Sequence, residues 1–228
     1  MKTVASSAII LKRINYGEAD RILTLLTHKH GKVSAIAKGI RRQKSKLAGG
    51  LELFSVSDVS FIEGRSELKT IVSAQLERHY GSIVKDVERT MTAYEFLRLM
   101  DAQTEHECDE AYFELLNTGL EALNEHHIGL SIVQAWFLAR LLKMIGADIN
   151  VEHQVDASLF EESQQYNFSF DDMAFFAHSV GTFGPQHIKL LRLFAKVSTP
   201  ANLLHVSGAE ELATQLKPLL AQCVLLTR

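Results

Sequence analysis

Cysteine and proline are nearly missing from this sequence of 228 residues, which holds two Cys, Cys108 and Cys223, and three Pro. Two thiols cannot build a disulfide scaffold, and so low a count fits a reducing compartment. With only 13 Gly beside those prolines, collagen-like and Pro/Gly-rich descriptions fail. Long apolar runs are lacking as well. The first, Ala8-Ile9-Ile10-Leu11, stops at Lys12 after four residues, whereas a secretory signal needs an apolar run of about 7–15. No stretch approaches the ~20 apolar residues of a bilayer-crossing helix, and a cytoplasmic protein is expected. A net charge of −3 is too small, and a hydrophobic fraction of 46% too large, for a disordered chain.

Catalytic signatures are absent too. There is no Walker loop, dinucleotide fingerprint, zincin pair, Gly-x-Ser-x-Gly or Cys-x-x-Cys. The ten His include the close pairs His28/His30 and His126/His127, but neither comes with a second ligand pair, and turn positions account for them better. Cys108 stands near His106, Cys223 has no such neighbour, and neither suggests a nucleophilic pair. No metal, no cofactor and no enzymatic activity is expected.

What the sequence does have is a separation of charge. Residues 1–80 hold 14 Lys+Arg against 7 Asp+Glu, a balance of +7; residues 81–228 hold 10 against 20, a balance of −10. Such asymmetry between halves points to an anionic partner on the basic half. No acid occurs between Asp20 and Glu52, while Arg21, Lys29, Lys32, Lys38, Arg41, Arg42, Lys44 and Lys46 are all basic. Five of these crowd into Lys38-Gly39-Ile40-Arg41-Arg42-Gln43-Lys44-Ser45-Lys46, where the Gly, Gln and Ser predict an exposed loop. Cations this close repel one another, and a polyanion relieves that cost.

Hydrophobic periodicity divides the chain in the same place. Strands are predicted at residues 8–14, 21–27, 32–37, 54–62 and 68–74, with the second and third joined as a hairpin across His28-Lys29-His30-Gly31. Five strands without a long helix between them describe a small barrel; an OB-fold and an SH3-like barrel both fit, and the basic content favours the first. From Ser82 the period becomes helical. Ile83, Val84, Val87, Met91, Tyr94, Phe96, Leu97 and Met100 are expected to form one apolar face. A second helix is expected at 109–125, begun by Asp109 and Glu110, and an almost wholly apolar third at 130–145, stopped by Gly146. Residues 147–170 show no clear period. Helices are expected again at 171–179, 185–196 and 209–226, the last broken or kinked at Pro218. The expected organisation is a five-stranded OB-fold-like nucleic-acid-binding domain at 1–80 and an α-helical bundle domain at 81–228.

The run Tyr16-Gly17-Glu18-Ala19-Asp20-Arg21-Ile22-Leu23-Thr24-Leu25-Leu26-Thr27, followed by Gly31-Lys32, by 37–49 and by Leu51-Glu52-Leu53-Phe54-Ser55, resembles the RecO family of bacterial recombination mediators. Phe137, Arg140, Leu141, Leu142 and Gly146 resemble that family's central helix and its stop. The resemblance implies an OB-fold followed by a helical domain, binding to single- and double-stranded DNA, annealing of complementary strands, and contact with RecR and single-strand-binding protein in loading RecA. Many members of the family carry a four-cysteine zinc module after the central helix. Here Gln154 and Ala157 stand near the first pair and the second pair is missing, so an irregular segment at 147–170 replaces the module. The final residues, Leu225-Leu226-Thr227-Arg228, lack the family's frequent basic element.

Lys38, Arg41, Arg42, Lys44 and Lys46 are therefore expected to contact phosphates, with Lys32, Arg65 and Lys69 extending the track. The aromatics of this half, Tyr16, Phe54, Phe61 and Tyr80, are expected mostly in core or turn packing. By resemblance, the acidic tail of single-strand-binding protein would dock in an apolar pocket at Trp136, Phe137, Arg140 and Lys143. The competing expectation is a non-catalytic adaptor whose basic barrel binds an acidic protein.

Overall fold

The computed structural model describes residues 2–63, 66–105 and 108–227. They divide into two compact units, 1–125 and 126–228.

The first unit is built on a closed barrel. Its strands are β1 (Lys2–Tyr16), β2 (Asp20–Thr27), β3 (Gly31–Ala37), β4 (Ser55–Glu63) and β5 (Lys69–His79). The order around the barrel is β1-β2-β3-β5-β4, with β4 pairing back onto β1. Only the β3–β5 contact is parallel, Ala35 opposite Lys69 and Ile36 opposite Thr70. This closure is that of an OB-fold and not of an SH3-like barrel. Alternation explains the interior: Ile10, Leu23, Leu25, Val33, Ala35, Val59, Phe61 and Ile71 form one buried cluster, as a period of two requires.

The outward-facing neighbours Ile9 and Leu26, paired in register, are also fully buried. Two helices explain this: α1 (Val87–Gln103) and α2 (Glu110–Asn124) pack on β1, and α2 also on β2. Asp86 caps α1, accepting from the Arg89 N–H, and Asp109 caps α2, accepting from the Ala111 N–H. The expected boundary at 80/81 therefore does not coincide with the compact unit, which continues through both helices to Glu125.

The expected apolar face of α1 is corrected as well. Phe96, Leu97 and Met100 are buried, but Val84, Val87, Met91 and Tyr94 are exposed. The buried side is completed by Thr92, Ala93, Leu99 and Arg89. Arg89 is buried because its guanidinium donates to the Leu123 carbonyl at 3.0 Å and the Glu125 carbonyl at 3.4 Å. A cation there complements the carbonyl end of α2.

The second unit packs α3 (Leu130–Met144) against α4 (Pro185–Lys196) and α5 (Ala209–Leu226). Gly146, at φ +74°, ends α3 with the Ala147 N–H bonded to Leu142 O and its own N–H to Lys143 O, the double bond of a Schellman stop. Where a helix was expected at 171–179, the chain forms a hairpin, β6 (Tyr166–Ser169) and β7 (Ala174–Ala177). Phe175 points in and is fully buried while Phe176 is 36% exposed, a two-residue period. Asp171 and Asp172, at the beginning of the expected helix, lie in the hairpin turn, where the Ser169 hydroxyl donates to Asp172 Oδ2 at 2.6 Å. α5 runs on through Pro218 without interruption. Leu216, Leu219, Leu220, Cys223 and Val224, all buried on the flanking turns, hold the helix across the missing donor.

Candidate nucleic-acid interface

The loop joining β3 to β4 is tied down at its start and by its apolar members. Gly39 adopts φ +66°, a conformation costly for a side chain-bearing residue, and its N–H donates to Asp20 Oδ1 at 2.7 Å. The Arg41 N–H donates to the Ala19 carbonyl at 2.9 Å, and its guanidinium to the Gly17 carbonyl at 3.3 Å. Ile40 and Leu51 are buried, with Leu47 and Ala48 packed on the barrel core. Between these anchors Lys38, Arg41, Arg42, Lys44 and Lys46 are all exposed. Among the described residues none of the five lies within 4.0 Å of a carboxylate. The loop is thus a fixed, unneutralised array of cations on the barrel surface.

The residues expected to extend the track fare differently. Lys32 is committed elsewhere: its ammonium donates to the Asp101 carbonyl at 2.8 Å and stands 3.6 Å from Asp101 Oδ1, at the end of α1. Lys69 donates to the Ser66 carbonyl at 3.1 Å. Arg65 lies outside the described residues. Lys32 and Lys69 instead share a cleft of about 610 Å³ with Lys29, His30, Ser34 and Glu67. Cys108 also lines it; burial pushes its thiol upward, and the nearby Lys32 N–H and ammonium act the other way.

His28 and His30 serve packing. His28 stands 3.1 Å from Glu114 and edge-on to Phe113, tying the β2–β3 turn to α2, and His30 meets Phe61 edge-on. Among the described residues no three His, Cys, Asp or Glu are grouped to hold a metal ion.

In the second unit the expected apolar pocket is corrected. Trp136 and Phe137 are buried, and the Trp136 indole N–H donates to the Val197 carbonyl at 3.3 Å. Neither presents a surface. Arg140 donates to the Ala195 carbonyl at 3.0 Å, and of the four only Lys143 is exposed. A helix apolar all round is central to its bundle, which is why the most aromatic pair of α3 faces inward.

The sequence reading missed the end of the β1–β2 hairpin, where Lys12, Arg13, Ile14 and Tyr16 are all exposed. The signal lay in their position next to Gly17, where the hairpin runs out past its packed region.

The first unit is thus an OB barrel that carries a cationic loop and is followed by helices. Residues 1–80 match the family model for the N-terminal domain of recombination protein O. The chain is 35% identical over 142 residues to the DNA repair protein RecO of Moorella thermoacetica, covering 62% of this chain and 52% of that protein. It is 32% identical over 158 residues to that of Desulfatibacillum aliphaticivorans, covering 68% and 61%. To that of Alkaliphilus metalliredigens it is 29% identical over 210 residues, covering 92% and 83%. The chain is thus similar to the RecO family, by the family model over residues 1–80 and by relatives at 29–35% identity. Its matches to the first two relatives span between half and two thirds of their length.

Proposed function

We propose that this chain is a recombination mediator of DNA repair that binds single- and double-stranded DNA through its barrel and anneals complementary strands. On this reading it acts in the cytoplasm, without catalysing a reaction, and helps load RecA together with RecR. The observation that carries the reading is the exposure of Lys38, Arg41, Arg42, Lys44 and Lys46 on one anchored loop, free of carboxylate partners among the described residues. Two strands repel through their phosphates, and a cationic surface offsets that repulsion without reading sequence. A contact with the acidic tail of single-strand-binding protein belongs to the same reading, with Lys143 as the exposed cation and Arg140 half-buried beside it; Trp136 and Phe137 take no part.

The test is oligonucleotide affinity against salt. Five neutralised phosphates give a slope of log K against log salt of about −3.5 on single strands. Replacing the five cations by Gln should flatten that slope and abolish annealing. A slope near zero in the unaltered protein rejects the reading and leaves an adaptor for an acidic protein.

A further inference from the structure

Residues 1–80 contain four aromatic side chains, and three are used in packing: Phe54, Phe61 and Tyr80 are at most 3% exposed. Tyr16 is different, with 55% of its surface in solvent. Among the described residues no ring packs on it and its hydroxyl has no hydrogen-bond partner. Its position follows from the strand. An irregularity between Ile10 and Lys12 shifts the register, and beyond it Lys12, Ile14 and Tyr16 share the outward face of β1, opposite Thr24, Ile22 and Asp20. Ile14 is itself 50% exposed. The end of the hairpin therefore presents an apolar, flat surface that the protein does not cover.

Cations stand at the same end of the hairpin. Arg21, in register with Asn15 on the other face of the ribbon, is held by its Nε–H on Asn15 Oδ1 at 3.0 Å, and Arg41 reaches the Gly17 carbonyl next to Tyr16. Lys38 begins the basic loop beside Gly39, which is bonded to Asp20 across from Tyr16. Two carboxylates, Glu18 and Asp20, lie in the same turn, and Asp20 is occupied by the Gly39 N–H. We propose that Tyr16, with Ile14, is a stacking platform for an unpaired base of a single strand whose phosphates lie on the neighbouring cations. A base in a duplex is already stacked and paired, so the platform favours single strands where the cationic loop alone would not discriminate. This rests on the DNA-binding reading and adds to it the part of the strand that is recognised.

The experiment compares oligothymidylate, an abasic strand of equal length and a blunt duplex, by anisotropy, for the full chain and its Tyr16→Ala and Tyr16→Phe variants. Stacking of one base corresponds to about a fivefold or larger change in affinity. Tyr16→Ala should weaken oligothymidylate binding by that factor, leave the abasic strand and duplex unchanged, and preserve the salt slope; Tyr16→Phe should bind like the unaltered protein. Equal weakening on all three ligands, or none on oligothymidylate, overturns the platform while leaving the cationic loop in place. If the unaltered protein binds none of the three in a salt-sensitive way, the DNA-binding reading falls and the platform falls with it.

Discussion

Lys32 and Lys38 flank the same strand and are put to different use. Lys32 donates a hydrogen bond to the Asp101 carbonyl and forms an ion pair with its carboxylate, so it fastens α1 to the barrel. Lys38 is exposed and has no carboxylate partner among the described residues. A charge-assisted hydrogen bond in a partly buried setting contributes roughly 1.5–3 kcal/mol, and an exposed cation contributes within about 0.5 kcal/mol. Lys32→Ala should therefore lower stability by the larger amount in a urea titration while leaving most single-strand affinity intact. Lys38→Ala should do the reverse, and equal effects on affinity would return Lys32 to the phosphate track. Cys223 supplies a separate residue-scale expectation. It is fully buried in α5, and burial pushes its thiol up to about 11. The unfolded thiol ionises first as pH rises, so the stabilising contribution is complete below the ordinary thiol range and is lost between about 9 and 11. Tyr80, also raised by burial, acts in the same direction. The urea midpoint should fall over that interval, and Cys223→Val should make the fall shallower; an identical profile in the variant would refute the assignment.

Among the elements, those whose sequence carries one unambiguous period were legible and those that mix periods were not. β2 and β3 alternate cleanly through Leu23, Leu25, Val33 and Ala35, and their inward residues and hairpin follow directly. α3 and its stop at Gly146 were readable because a run apolar on every side and a glycine beyond it leave few alternatives. α1 carries two apolar stripes, and burial follows Phe96, Leu97 and Met100 and not Val87, Met91 and Tyr94. The choice depends on the Arg89 bonds to the end of α2, a tertiary fact that α1 alone does not encode. β7 was missed because four residues are too few to separate a strand from a turn of helix. The segment without a period has its own logic. Gln154 closes a turn by donating to the Leu159 carbonyl at 2.9 Å, and Phe160, Tyr166, Phe168, Phe175 and Phe183 meet edge to face around the hairpin. Rings that attract one another edge to face supply a core here. As for the candidate site, the basic loop was visible because its charges are contiguous in sequence, whereas the exposure of Tyr16 depends on where the hairpin leaves its packed region.

For the whole molecule, the charge separation is finer than a basic half and an acidic half. Residues 81–125 hold 3 Lys+Arg against 11 Asp+Glu, so the +7 barrel carries strongly acidic helices on the outside of β1 and β2. The first unit is almost neutral in sum and polarised in space. On the proposed function, this arrangement would steer a polyanion to the cationic loop and away from the helices, an effect of local field and not of net charge. The same helices cover apolar residues on the outside of the barrel. Cutting after residue 80 bares Ile9 and Leu26, each worth about 1.5–3 kcal/mol when buried. It also removes the partners of Lys32, of the Tyr80 hydroxyl on Asn117 Oδ1 at 2.6 Å, and of Arg78 on Glu121 at 3.2 Å. Fragment 1–125 should melt cooperatively and keep the salt-dependent single-strand affinity of the full chain, since the loop and its anchors lie wholly inside it. Fragment 1–80, although it is the segment the family model matches, should melt without a sharp transition and bind a hydrophobic dye. Calorimetry on the two fragments decides the point: a cooperative transition at the same temperature in both would show that the helices are passengers on a barrel that stands alone.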